Sequence, residues 1–119
     1  MVDDSKAMRS ILRRTLEGRG FEVVEAENGR RALERLALMR IPDLALVDWN
    51  MPEMNGIELV SELRRDPSYD AMLVMMVTTE TETTQVQRAL SAGANEYVMK
   101  PFSEEILTDK LSILGFEAT

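Results

Sequence analysis

Two apolar runs constrain this chain more than any other feature. Leu44-Ala45-Leu46-Val47 and Met72-Leu73-Val74-Met75-Met76-Val77 are nearly uninterrupted. A strand with one wet face alternates apolar and polar residues. A strand that is apolar throughout is covered on both faces, as in a parallel sheet between two layers of helices. Phe21-Glu22-Val23-Val24 and Glu96-Tyr97-Val98-Met99 are shorter runs of the same kind. Between them lie helical stripes: Met8, Ile11, Leu12 and Leu16; Ala32, Leu33 and Leu36; Ile57, Val60 and Leu63; Val86, Ala89 and Leu90; Ile106, Leu107, Leu111 and Leu114. Gly18 and Gly20 are placed to end the first helix and Gly93 the fourth. The alternation predicts an α/β fold, an open parallel sheet with helices on both faces. Five βα units in a single domain over residues 1–119 fit the flavodoxin-like strand order 2-1-3-4-5. Only Met1 and Val2 precede the first acids, so the first strand, an interior one in that order, is expected to be truncated. Several more apolar residues upstream of Met1 are expected to complete it.

Open α/β sheets bind their ligands outside the carboxyl ends of the strands. Asp3 and Asp4 follow the first strand, Asp48 the third, Thr78 the fourth and Lys100 the fifth. These strands are neighbours in the expected order, so three carboxylates, a hydroxyl and an ammonium should gather in one shallow cleft. Three carboxylates repel one another, and one lysine does not neutralise them. A hard divalent cation would, and Mg2+ suits such a site because it takes one or two carboxylates and accepts phosphate oxygens. A carboxylate beside a lysine, a hydroxyl and a metal is what phosphoryl transfer requires, with Asp48 as the nucleophile.

Taken singly, each part has a plainer explanation. One of Asp3, Asp4 and Ser5 would serve as the N-cap of the first helix. Asp48-Trp49-Asn50-Met51-Pro52 reads as an ordinary strand-to-helix turn, a lone Thr78 as a strand end and a lone Lys100 as a solvated side chain. What these explanations leave out is the gathering of all the polar chemistry at one edge of the sheet.

Composition removes other chemistries. The chain has no cysteine and no histidine, which excludes disulfides, thiol nucleophiles, imidazole bases and an internal phosphohistidine. The net charge of −7 argues against direct binding to nucleic acid or to an anionic membrane. No apolar run is long enough to span a bilayer, and the absence of cysteine suits a cytoplasmic setting.

The motifs Val2-Asp3-Asp4-Ser5, Val47-Asp48-Trp49-Asn50-Met51-Pro52, Met54-Asn55-Gly56, Val77-Thr78-Thr79-Glu80, Ala92-Gly93-Ala94 and Tyr97-Val98-Met99-Lys100-Pro101-Phe102 span nearly the whole chain. Together they resemble the receiver domain of bacterial two-component response regulators, of the CheY-like chemotaxis type. The resemblance implies that Asp48 is the phosphoryl acceptor, that Asp4 ligates Mg2+ directly, and that Asp3 acts through a metal-bound water. It gives the backbone carbonyl of Asn50 to the metal, and Thr78 and Lys100 to the phosphate oxygens. It makes Tyr97 the aromatic whose rotamer follows Thr78, with Met99 and Phe102 beside it on the output surface. Asn50, Thr79 and Glu80 stand at rate-tuning positions. The implied partners are a sensor histidine kinase as phosphodonor and a downstream effector protein. Two positions depart from the family pattern. Thr79 stands where Ala or Gly is usual, and Asn55 where Asp is frequent.

Three alternatives compete with a signalling switch that is no enzyme towards external substrates. A flavodoxin needs a phosphate-cradling loop where this chain has Asp3-Asp4. A Mg2+-dependent aspartyl-nucleophile phosphatase needs a second acid two positions after the nucleophile, where an amide, Asn50, stands. An inactive interaction module would have lost one of Asp3, Asp4, Asp48, Thr78 or Lys100. The segment Thr81-Glu82-Thr83-Thr84-Gln85 has few apolar anchors, so the start of the fourth helix is expected to be mobile.

Overall fold

A computed structural model describes residues 1–49, 54–79, 86–100 and 102–116. Helix α1 (Lys6–Glu17) starts at Ser5, whose hydroxyl accepts from the Met8 amide and satisfies one of the helix's unpaired N–H groups. Helix α2 is Gly29–Leu36, capped by Asn28. Strand β1 (Leu44–Asp48) leads towards α3 (Gly56–Arg65). Asn55 caps α3 in a reciprocal box with Glu58, which accounts for an Asn at that position, since Asn and Asp cap equally well. Strand β2 (Leu73–Thr79), α4 (Val86–Ala92), β3 (Glu96–Lys100) and α5 (Glu104–Ile113) complete the order.

The three strands form a parallel sheet in the order β1-β2-β3, with Leu44 opposite Leu73 and Thr79 opposite Lys100. Side chains alternate across it, and this sorts the core into two layers. Ala45, Val47, Val74 and Met76 pack with Ala32, Leu59, Val60, Leu63 and Ala89 of α2, α3 and α4. Leu46, Met75, Val77 and Val98 pack with Leu12 and Leu16 of α1 and with Leu107 and Leu111 of α5. Both faces are therefore covered, as the uninterrupted apolar runs require.

Among the described residues, three of the five expected strands form a ladder. Val2 makes one parallel bridge to Val47 and one to Ala26, and residues 21–25 are extended without forming a ladder. A ladder needs backbone on the facing side. Met1–Asp3 supply it opposite Val24 and Ala26, but nothing among the described residues continues it towards Glu22. A cavity of about 600 Å³ opens there, its lining including Met1, Leu16, Phe21, Val23, Leu44 and Leu46.

On the other side of the sheet Arg64 acts as a staple. Its guanidinium donates to the carbonyls of Tyr69, Met72 and Gly93 and to Asn95 Oδ1, at 2.8–3.1 Å. Gly93 has φ +122°, and a Cβ there would lie 2.5 Å from the Arg64 side chain, so glycine is required to end α4. No described helix is long and apolar enough to cross a membrane.

Candidate functional site

Asp48 is the last residue of β1 and Lys100 the last of β3, so both leave the sheet at its carboxyl edge. Asp3 reaches the same edge from the bridge at Val2. Its amide donates to the Ala26 carbonyl, while the Asp48 amide donates to the Val2 carbonyl at 2.8 Å. The Lys100 ammonium lies 3.3 Å from Asp48 Oδ1 and 3.4 Å from Asp3 Oδ2. Asp4 completes the group, and one carboxylate oxygen from each of Asp3, Asp4 and Asp48 lies within 4.8 Å of the others. Asp3 and Asp48 are buried and Asp4 is exposed, so the acids form a cleft open on one side.

Gly56 lets the chain close tightly behind Asp48. Its amide donates to the Trp49 carbonyl, and a Cβ there would come 2.7 Å from the Asp48 carbonyl oxygen. Sequence reasoning assigned Gly56 no role at the site. An Asn-Gly pair opening a helical stripe was the available signal, but only the fold shows which backbone the glycine admits.

Electrostatics follow from this packing. Burial raises the Asp48 carboxyl from its ordinary 3.8 to about 6, with repulsion from Asp3 adding to the rise and Lys100 opposing it. Burial alone would lower the Lys100 ammonium, but attraction to Asp48 and Asp3 outweighs it and holds the group above its ordinary value. One ammonium among three carboxylates leaves negative charge uncompensated. The donor set is all hard oxygen, gathered in one place. These residues fit a small divalent cation such as Mg2+.

The response regulator receiver domain family matches residues 1–112 of the chain. This chain is a response-regulator receiver domain. The receiver domain is 43% identical over 115 residues to chemotaxis protein CheY1 of Helicobacter pylori, covering 96% of this chain and 93% of that one. It is 44% identical to a CheY homolog of Campylobacter jejuni, covering 97% of this chain and 90% of the relative. The solved structure of chemotaxis response regulator CheY4 of Vibrio cholerae superposes with a TM-score of 0.87 at 36% identity, over 95% of this chain and 93% of that one. The α/β, flavodoxin-like receiver fold and the CheY-like character are thereby established.

The remaining expected residues of the receiver domain fall as follows. Thr78 is buried one position before the end of β2. Tyr97 and Met99 stand opposite Met76 and Thr78 in the ladder, so all four side chains belong to one face of the sheet. Met99 is 40% exposed, while Tyr97 is half-buried with the Lys110 ammonium 4.6 Å from its ring centroid. Sequence reasoning had not paired Lys110 with that ring. Phe102 is half-buried and packs against the core layer that includes Leu107 and Leu111 of α5, an element of the expected output surface. Thr79 ends β2, but its side chain lies outside the described residues, as do Asn50, Glu80 and the segment 81–85 expected to be mobile.

Proposed function

We propose that the chain is a phosphorylation-operated switch in which Asp48 accepts a phosphoryl group from the phosphohistidine of a sensor kinase. The observation that carries this reading is the Lys100 ammonium held within 3.4 Å of both Asp48 and Asp3, where three carboxylates converge. Asp48 is ionised over most of its population at neutral pH despite its raised pKa, so its oxygen is a competent nucleophile. That oxygen attacks phosphorus, the new O–P bond forms as the donor's N–P bond breaks, and the departing imidazole nitrogen keeps the electron pair and takes a proton. Asp4 would hold Mg2+ directly, Asp3 through a water and Asn50 through its backbone carbonyl. When bound, the ion supplies positive charge to the phosphoryl oxygens. Lys100 and the Thr78 hydroxyl hold the remaining oxygens in place.

Output follows from the shared face of Thr78, Tyr97 and Met99. A phosphoryl group drawing Thr78 inward gives Tyr97 room to follow, and the exposed Met99 changes its surroundings. Two states within a few kcal/mol of each other are enough for this to act as a switch. The downstream partner is an effector protein that reads this surface. Asn50, Thr79 and Glu80 set the lifetime of the phosphorylated state. The likeness to chemotaxis proteins of Helicobacter, Campylobacter and Vibrio supports a role in chemotaxis and a cytoplasmic setting. The two parallel bridges of Val2 support the order 2-1-3-4-5 for the complete sheet.

Incubation with a small phosphodonor, followed by intact-mass measurement, tests the reading. The chain should gain one phosphoryl group, only when a divalent cation is present. An Asp48→Asn chain that gains the same mass would refute it.

A further inference from the structure

Asp3 sits in the acidic cleft, yet it is held by less backbone pairing than Asp48. Asp48 belongs to a strand paired along its length with β2, whereas Asp3 follows a single bridging residue, Val2. The Asp3 amide donates to the Ala26 carbonyl, and its own carbonyl accepts from a side chain rather than from a neighbouring strand. Arg9, one turn into α1, meets that carbonyl. Its NH1 donates to the Asp3 carbonyl at 2.6 Å, while its Nε donates to Glu25 Oε1 at 3.2 Å. Glu25 immediately precedes Ala26, the residue that accepts from the Asp3 amide. Arg13 also donates to Glu25, at its other carboxylate oxygen. Asp3 is therefore gripped at both its amide and its carbonyl, and both grips run through the Glu25–Ala26 pair. The Arg9 side chain is 15% exposed, so this contact is not a loose surface pair.

We propose that Arg9 is a positioning residue for the cation site: it fixes the backbone of Asp3 so that its carboxylate stays where Asp4 and Asp48 converge. The inference rests on the metal-binding reading above. A guanidinium suits the task because its rigid fork sends two donors in diverging directions, one to a carbonyl and one to a carboxylate. A lysine keeps the charge but brings a single point donor.

Charge and position make opposite predictions here, which gives the test its power. Arg9 is a cation close to a cation site. If it acted through charge alone, removing it would tighten Mg2+ binding. If it acts by position, removing it loosens binding. Mg2+ titrations followed by the fluorescence of the buried Trp49, next to Asp48, separate the two. Arg9→Met, which keeps the apolar stem, should weaken Mg2+ affinity about ten-fold, as loss of a supporting outer partner does at other metal sites. Arg9→Lys should weaken it about three-fold with no change of charge. Urea unfolding without metal shows whether each variant is folded under the titration conditions. Unchanged or tighter binding in Arg9→Met overturns the inference. Should that variant fail to fold, unchanged affinity in Arg9→Lys overturns it instead. A wild-type chain that does not respond to Mg2+ overturns the proposed metal site itself, and this inference with it.

Discussion

The two sides of the sheet are built to different standards. From β1 to β3 the strands are paired in unbroken parallel register, both faces are covered, and Arg64 ties the loops behind them to α3. On the other side of β1, Val2 is a single bridging residue, residues 21–25 run alongside without a ladder, and a cavity of about 600 Å³ lies between. The candidate site draws on both sides. Asp48, Thr78 and Lys100 stand on the paired strands, while Asp3 and Asp4 stand on the sparse side. The paired strands supply Asp48, the proposed nucleophile, whose position follows from the ladder. Asp3, from the sparse side, is held by the Arg9 contact to its carbonyl and by the Ser5 amide, which donates to its carboxylate.

The sharpest way to break this contrast is amide hydrogen exchange on the metal-free chain. The amides of Val74 and Met76, in the central strand, should exchange only through near-global unfolding. Those of Val23 and Val24 should exchange through local opening. The difference in protection should be at least about a thousand-fold. Equal protection in the two segments would show that residues 21–25 share the cooperativity of the sheet despite lacking its ladder.

A smaller effect concerns Asp48 itself. Its carboxyl is raised from 3.8 to about 6 in the folded chain, so the protonated form is the one the fold favours. The stability this gives is fully present below the unfolded value and is lost as pH rises through the folded one. Between pH 4 and 6 the metal-free chain should lose on the order of 2 kcal/mol from this group. Asp48→Asn should remove that part of the slope and leave the metal-free chain more stable at pH 7. Urea unfolding of both chains across this range measures it. Identical slopes would mean that Lys100 already compensates the Asp48 charge in full.

The same contrast explains what could be read from the sequence. The strands β1, β2 and β3 were legible because apolar runs covered on both faces have few other uses, and their ends pointed to Asp48, Thr78 and Lys100. Phe21–Val24 carries the same kind of signal but forms no ladder, because a strand is a property of two segments and the pairing with Met1–Asp3 reaches only Val24 and Ala26. Arg9 and Gly56 were not legible at all. An arginine on an amphipathic helix looks like a solvated charge until the fold brings the Asp3 carbonyl to it. The tolerance at Gly56 depends on how closely the chain doubles back on Asp48.

The central claim is that Asp48 is the residue that carries the phosphoryl group. Reductive trapping tests it at the level of the atom, because borohydride converts an aspartyl phosphate to homoserine and peptide mass mapping then locates it. The expected result is homoserine at position 48, only in chains treated with both phosphodonor and Mg2+. Homoserine at Asp3 or Asp4, or a phosphorylated chain with an unreduced Asp48, would contradict the account.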